Sequence, residues 1–111
     1  MKPLEGIRVL DLSRMVAGGV AGMLLADFGA DVVKVEQPGT GDPLRQWTTD
    51  GQPMWWKVYG RNKRYITLNL KDSQGRALLQ RLRGRTLLHR KGSGCLHAHH
   101  LKRSCFFVLV S

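Results

Sequence analysis

The chain has 111 residues, with 18 Lys or Arg against 8 Asp or Glu, which gives a formal net charge of +10 at pH 7. This length allows at most one ordinary domain, and a hydrophobic fraction of 42% excludes a wholly disordered chain. No apolar run approaches the roughly 20 residues of a transmembrane helix, and the first residues lack the apolar region of a secretory signal, so we expect a cytoplasmic protein.

The positive charge is distributed unevenly along the chain. Residues 1–72 contain ten Lys or Arg and eight Asp or Glu, whereas residues 73–111 contain eight Lys or Arg and no acidic residue. All four histidines and both cysteines follow residue 85. This break predicts a coherent part, residues 1–85, followed by a basic tail, residues 86–111. The function has to be read from the first part.

The basic tail suggests two kinds of ligand, and its sequence favours neither. Clustered Lys and Arg can neutralise nucleic-acid phosphates, but the tail has no recognisable binding motif and few aromatic residues between its charges. We therefore favour a solvated surface and keep a non-enzymatic basic binding module as an alternative. The spacing of Cys95 and Cys105, and of His97, His99 and His100, matches no zinc motif, so no metal site is expected.

The first elements predicted in chain order form a strand, a helix and a strand. Residues 7–12 alternate and are rich in branched side chains, which is typical of a strand. The helix begins at Gly18–Gly19, and Gly29 is placed to end it in the left-handed conformation. Residues 31–36 form the second strand. The predicted core face of the helix is spaced at i, i+3, i+4 and i+8 and comprises Val20, Met23, Leu24 and Phe28.

The second part of the coherent region predicts a further strand and helix. A loop at residues 38–43 leads into a long excursion, residues 47–59, which holds all three tryptophans and one helical turn. Residues 65–70 alternate as a third strand. Asp72 is placed to cap the next helix, whose predicted core side chains are Leu78, Leu79 and Leu82. Strands alternating with helices predict an α/β fold with a partial, Rossmann-like open parallel sheet.

Two motifs raise the question of a phosphate-bearing ligand. The glycines at residues 18–22, with Glu36 at the end of the second strand, resemble part of a dinucleotide site, but the required glycine spacing is missing, so we favour a role in close helix–sheet packing. The run Arg61–Asn62–Lys63–Arg64 fits a phosphate contact and a solvated turn equally well. We expect the pair Trp55–Trp56 in the core or in a dimer interface.

Cations near the predicted strand ends favour an anionic ligand. Lys71 follows the third strand and Arg45 follows the loop at residues 38–43. Ligands of open α/β sheets collect outside the carboxyl ends of the strands. No histidine lies in residues 1–85 to act as a base, so no catalytic triad and no catalytic residue can be assigned there.

In the strands, loops and helices described above, the chain resembles class III CoA-transferases, the carnitine dehydratase and bile-acid-inducible protein F family. The matching segments follow one another in order through about residue 84 and comprise Pro3–Leu12, Ala17–Gly18, Leu25–Glu36, Pro38–Arg45, Asn62–Arg64 and Leu68–Lys71. The resemblance implies a Rossmann-like domain that uses CoA or acyl-CoA as a substrate, with no permanently bound cofactor. It identifies the chain as an N-terminal fragment of an enzyme that moves CoA between an acyl-CoA thioester and a carboxylic acid.

The resemblance also implies which residues contact CoA and what the fragment lacks. The implied contacts are Met15, Val16, Ala17, Gln37, Arg45, Leu68 and Lys71. The family's catalytic aspartate lies beyond residue 111, so this chain is expected to be inactive by itself. Members form homodimers of interlocked chains, and the sequence leaves open whether the fragment does so. Acyl-CoA racemases of the same family are the alternative, but the long excursion at residues 47–59 resembles the transferases.

The family resemblance ends where the composition changes. The hydrophobic strand that normally follows the last helix is missing after Thr86, which predicts a non-native tail produced by a frameshift or aberrant splicing. We expect residues 86–111 not to pack as a native fourth strand, because a buried parallel strand is a near-continuous apolar run. Residues 105–110 are apolar enough for a strand, but they follow a basic segment. We therefore expect them to form an edge or surface element, with one sheet edge left open.

Overall fold

The computed structural model describes residues 1–83 and the backbone of residues 106–109. Its elements alternate between strands and helices, with one 3-10 turn at Pro43–Gln46. In chain order they are β1 (Arg8–Asp11), α1 (Ala17–Asp27), β2 (Asp31–Glu36), α2 (Met54–Tyr59), β3 (Arg64–Thr67), α3 (Ser73–Arg83) and β4 (Phe106–Leu109).

The strands form one parallel sheet in the order β3-β2-β1-β4. Val9 lies opposite Val32 in the β1–β2 pair, and Val33 lies opposite Arg64 in the β2–β3 pair. Parallel neighbours joined through helices are the arrangement of an open α/β sheet. The predicted fold class is confirmed.

The predicted strands agree with the observed ones to different degrees. The second has the predicted bounds, whereas the third ends at Thr67 rather than at residue 70. The Asn69 side chain accepts a hydrogen bond from the Lys71 amide at 3.1 Å, and the Asp72 amide donates to the Asn69 carbonyl at 3.2 Å. An asparagine side chain that accepts a hydrogen bond from the backbone two residues onward forms a turn. The strand therefore ends at Thr67, although the alternating sequence pattern continues to residue 70.

The face of α1 that packs on the sheet shares Met23 with the predicted face but otherwise differs from it. Its buried residues are Gly19, Gly22, Met23 and Ala26. Leu24 and Phe28 are 48% and 54% exposed, so the prediction that they belong to the core face is wrong. Small residues allow the helix to approach closely, which large side chains in the same place would prevent.

The C-terminal end of α1 agrees better with the prediction. Gly29 has φ +103°, as predicted for a left-handed residue after the helix. Its amide donates to the Ala26 carbonyl at 2.9 Å, and the Ala30 amide donates to the Leu25 carbonyl at 3.0 Å. These two bonds form a Schellman motif, which ends the helix. The chain then enters β2 directly, where Val32 joins a buried apolar cluster with Val9, Ala26 and Ala30.

The tryptophan-rich excursion follows the 3-10 turn and contains the short helix α2. The Asp42 carboxylate caps the 3-10 turn by accepting from the Leu44 amide at 2.9 Å. The rings of Trp47 and Trp55 meet edge to face with centroids 6.1 Å apart. Trp55 is 40% exposed, so it is not a core residue of this chain. Of the two predicted locations, the core and a dimer interface, the core is therefore wrong for Trp55.

Helix α3 contributes little to the core. Leu78 and Leu82 are 46% and 40% exposed, and Gly75 is the buried residue of the helix. The prediction that these leucines face the core is therefore wrong. The helix follows β3, an edge strand, and among residues 1–83 and 106–109 no element beyond that edge covers the helix.

Part of the tail joins the sheet. β4 pairs in parallel with β1, with Arg8 opposite Phe106 and Asp11 opposite Leu109. Residues 105–110 were expected to arrive as an edge element, and β4 lies at the edge. The sheet therefore has four strands, and β4 covers the edge that β1 would otherwise present. The expectation that the tail leaves this edge open is wrong, while the non-native origin of the tail stays a prediction. The other predictions for residues 84–105 and 110–111 lie outside the described residues.

Candidate functional site

A cleft of about 200 Å³ opens at the carboxyl ends of β1, β2 and β3. We call it the strand-end cleft. The residues that line it come from the segments that leave these three strands. They are Leu12, Ser13 and Arg14 after β1, Val35, Glu36, Gln37, Gly41 and Asp42 at and after β2, and Leu68, Asn69, Leu70 and Lys71 after β3.

Three of the predicted CoA contacts line this cleft, namely Gln37, Leu68 and Lys71. The other four, Met15, Val16, Ala17 and Arg45, are not among its lining residues. Met15 follows the lining residue Arg14 directly, and Ala17 begins α1. Asn69 and Leu70 also line the cleft but were not among the predicted contacts, although the rule that sites form after strand ends includes them.

The loop after β3 is fixed by α3. Arg76 in the first turn of the helix donates to the carbonyls of Leu70 at 3.3 Å and Lys71 at 2.8 Å. The Lys71 amide donates to the Asn69 side chain. Backbone groups on both sides of Lys71 are therefore held, while its side chain is exposed at the cleft. A cation on a fixed backbone suits the binding of an anionic group.

Arg45 is engaged within the protein. Its guanidinium donates two hydrogen bonds to the Glu36 carboxylate, Nε to Oε2 at 2.7 Å and Nη2 to Oε1 at 2.8 Å. It also stacks 3.9 Å from the centroid of the Trp56 ring. Hydrogen bonding to Glu36 raises the pKa of Arg45. This pair is a bidentate, charge-assisted contact that fixes the loop after β2.

The same contacts bear on the dinucleotide alternative. Glu36 is almost fully buried and accepts from the Asp42 amide at 2.9 Å as well as from Arg45. Burial alone would raise the pKa of Glu36, but the bonds from Arg45 and the Asp42 amide bring it below the ordinary value. Three of the roughly four acceptor positions of this carboxylate are used by the protein itself, which leaves little capacity for a ribose hydroxyl. The geometry therefore favours the packing role that we preferred for the glycines.

That packing role is visible at Gly22. A Cβ atom there would lie 2.7 Å from Asp11 Oδ2 and 2.9 Å from Lys63 Nζ. Gly18 is also close to its neighbours, because a Cβ atom there would overlap the Ser13 side chain. These two glycines let α1 lie directly on the polar and charged side chains of Ser13, Asp11 and Lys63.

Beneath α1 lies a group of four buried charges that we call the ion cluster: Asp11, Lys34, Asp42 and Lys63. Lys63 Nζ lies 3.0 Å from Asp11 Oδ2 and donates to the Gly19 carbonyl at 3.0 Å. Lys34 Nζ lies 3.0 Å from Asp42 Oδ2 and 3.7 Å from Asp11 Oδ1. Two positive and two negative charges balance, which is the condition for burying them at acceptable cost.

Burial and hydrogen bonding shift the pKa values in this cluster. Desolvation has the largest influence on Lys63 and lowers its pKa, against the opposite effect of Asp11. For Asp42, burial raises the pKa, but hydrogen bonds from the Leu44 amide, Lys34 and the Met15 amide outweigh it and the pKa is lowered. Asp42 is therefore held in its charged form beside Lys34.

The run Arg61–Asn62–Lys63–Arg64 binds carboxylates of the protein itself. Arg61 and Asn62 both contact Asp27, at 2.6 and 2.8 Å. Arg64 binds Asp31 at 2.6 Å, and Lys63 belongs to the ion cluster. The run lies at the start of β3, whereas the cleft lies where β3 ends. The structure thus disfavours the phosphate-contact alternative for this run.

No group of three or more His, Cys, Asp or Glu side chains placed to hold a metal ion occurs among residues 1–83. The four histidines and two cysteines lie outside the residues whose side chains are described. In the part of the chain that the structure describes, none of the helices has the length and apolar character needed to cross a membrane.

Comparison with known proteins identifies the family. The profile of CoA-transferase family III matches residues 4–85. The chain belongs to this family. It is 50% identical over 84 residues to the succinyl-CoA–D-citramalate CoA-transferase of Chloroflexus aurantiacus, a match covering 73% of this chain and 21% of the relative. It is 45% identical over 85 residues to the mouse succinyl-CoA:glutarate CoA-transferase, covering 74% of this chain and 20% of the relative.

A solved structure supports the same assignment. The crystal structure of the hypothetical protein Rv3272 from Mycobacterium tuberculosis matches with 43% identity and a TM-score of 0.68, over 74% of this chain and 23% of the other. The family resemblance and the α/β architecture predicted from the sequence are thereby confirmed. The chain spans about a fifth of the length of the curated relatives it matches.

Proposed function

We propose that the strand-end cleft binds the CoA portion of an acyl-CoA. In the whole enzyme this region would serve the transfer of CoA between an acyl-CoA thioester and a carboxylic acid. The observation that carries the proposal is that Gln37, Leu68 and Lys71 converge on one cleft at the carboxyl ends of parallel strands. All three lie within the segment that matches the family.

Each of the three residues suits a different part of the ligand. Lys71 offers an exposed ammonium group for a phosphate, with its backbone held by Arg76 and Asn69. Gln37 offers an amide that can donate and accept hydrogen bonds. Leu68 supplies a half-buried apolar wall. Met15, Val16, Ala17 and Arg45 stay predicted contacts; Arg45 would contact CoA only while keeping its pair with Glu36.

The names of the two curated relatives guide the choice of substrate. Both contain succinyl-CoA, with D-citramalate or glutarate as the second compound. We therefore propose succinyl-CoA as the first thioester to test. The named activities are transferase activities, which together with the excursion at residues 47–59 supports a transferase over a racemase.

The exposed apolar surface supports the dimer that the family resemblance implies. Trp47, Trp55 and Val58 are each about two-fifths exposed around α2. Large exposed aromatic groups commonly mark contact surfaces. We propose that a partner subunit or the rest of the enzyme covers this surface.

The binding proposal is tested by titrating CoA into the 111-residue chain in a calorimeter and comparing the wild type with Lys71→Ala. We expect weak binding to the wild type and an affinity about tenfold lower in the variant, because a charge-assisted contact is lost. Lys57→Ala is the matched control. It removes the same charge from an exposed position on α2, outside the cleft.

The control separates a specific contact from a general effect of charge. Equal losses in Lys71→Ala and Lys57→Ala would show that CoA responds only to the net charge of the chain. Binding to random DNA duplex that disappears when residues 86–111 are removed would instead support the basic binding module.

A further inference from the structure

Lys34 is an unusual residue for the middle of a parallel strand. Only 2% of it is exposed, and it is the largest of the fully buried side chains among residues 1–83. Lysine is almost never fully buried unless it is paired. Replacing such an ion pair by apolar residues is often neutral or favourable for stability. Stability alone is therefore a weak reason for a lysine at this position.

The contacts of Lys34 suggest another reason. Its ammonium group donates to the carbonyl of Ser13, in the connector between β1 and α1. It also pairs with Asp42, in the loop after β2. Asp42 in turn accepts from the Met15 amide at 3.1 Å. Lys34 thus holds the connector at two points, directly at Ser13 and through Asp42 at Met15.

The connector needs to be held because its backbone is strained. Met15 has φ +64°, a left-handed conformation that is unfavourable for a residue with a side chain. Such a conformation persists only where surrounding contacts impose it. Ser13 and Arg14 of this connector line the strand-end cleft, and so does Asp42.

We propose that Lys34 is a positioning residue for CoA binding. Its buried ammonium fixes the Ser13–Met15 connector and the Asp42 loop in the relative arrangement that shapes one side of the cleft. Lys34 itself is not among the residues that line the cleft. This inference rests on the proposed function, since it assigns the connector a part in binding the same ligand.

A charge-balanced double variant separates positioning from stability. Lys34→Met alone would leave Asp42 without its buried partner. In Lys34→Met/Asp42→Asn the pair Asp11–Lys63 stays neutral. The side-chain oxygen of the introduced asparagine can still accept from the Met15 and Leu44 amides, which the Asp42 carboxylate binds in the wild type. The bond from Lys34 to the Ser13 carbonyl is lost.

We expect the double variant to unfold in urea at the same concentration as the wild type, yet to bind CoA at least about tenfold more weakly. Without ligand, the Cα chemical shifts of Ser13 and Met15 should move away from those of the wild type as the left-handed backbone relaxes. Lys57→Met is the control, with unchanged shifts and affinity. A double variant with wild-type shifts and wild-type affinity would overturn the inference.

Two further outcomes are distinguishable. If the wild-type chain binds no CoA, the proposed function fails for this chain, and the ligand-free shifts of Met15 still decide whether Lys34 fixes the connector. If the double variant does not fold, amide exchange in the wild type decides. Exchange at Met15 as slow as at Val33 supports the inference, and exchange as fast as in the exposed loop at Gly39 overturns it.

Discussion

The region of β1, α1 and β2 differs from the region of β3 and α3 in how far its side chains are buried. The first buries charged side chains, including Asp11 and Lys34, whereas the second exposes apolar ones, including Leu78 and Leu82. Hydropathy predicts the reverse for these four side chains. The difference shows that the burial of these side chains depends on the neighbours that their elements have in the sheet, and not on the type of side chain alone.

The physical basis of the difference is the position of each strand. β1 and β2 are the two central strands of the sheet. Charged side chains on the side of the sheet that α1 covers can therefore be surrounded by other charges and by backbone carbonyls. β3 is an edge strand. Among the described residues, nothing lies beyond it to cover the leucines of α3. Substitutions in the two regions therefore test this difference.

The largest effect is expected in the ion cluster. Asp11→Asn should lower the free energy of unfolding by about 3–5 kcal/mol, because it leaves Lys34 and Lys63 with one buried carboxylate between them. Leu82→Ala in the other region should cost about 0.5 kcal/mol or less, as for most surface substitutions. Urea unfolding followed by circular dichroism measures both. Equal losses would show that the exposed leucine is as important as the buried charge.

A smaller effect is expected from the close approach of α1. Gly22→Ala should cost about 1–3 kcal/mol, since its new methyl group would press on Asp11 and Lys63. Gly19→Ala is the matched control in the same helix. Its methyl group would lie 3.7 Å from Tyr59 Cβ, an ordinary contact, so higher helix propensity should make it neutral or stabilising by up to about 1 kcal/mol. Thermal unfolding of the two variants tests the contrast, and a more stable Gly22→Ala would contradict it.

The smallest effect concerns pH, and it extends the comparison to the loop after β2. The pKa values of Glu36 and Asp42 are lowered from ordinary values of 4.5 and 3.8. A carboxyl group whose pKa is lower in the folded state than in the unfolded state stabilises the fold. This stabilisation is complete at pH values above the unfolded-state pKa, and it is lost as the pH falls through the folded-state pKa. Stability should therefore be constant from pH 7 to about 5 and decline at more acidic pH.

This decline can be assigned to a residue. In Glu36→Gln the carboxyl group no longer titrates, so the slope of unfolding free energy against pH below about pH 4.5 should be shallower than in the wild type. Asp50→Asn removes an exposed carboxylate outside this loop and serves as the control. A slope in Glu36→Gln as steep as in this control would mean that the paired carboxylate has no part in acid unfolding.

The rule that ligands bind at the carboxyl ends of parallel strands predicted part of the candidate site. Lys71 was expected at the cleft because it follows a strand, and that rule depends only on chain order and parallel pairing. Arg45 was also expected there as a cation for the ligand, but it is bound to Glu36 and stacked on Trp56. The partners of a long cationic side chain come from segments outside its own motif, so a motif cannot indicate which anion it will contact.

The sequence by itself determined the order of strands and helices, the left-handed glycine after α1 and the family, because these depend on local periodicity, turn residues and spaced motifs. Only the tertiary structure decided which face of α1 is buried, that Lys34 and Asp11 lie inside while Leu82 lies outside, and that β4 pairs with β1. Burial and ion pairing depend on which elements become neighbours in the sheet. Alternating or helical patterns in a single segment carry no information about those neighbours.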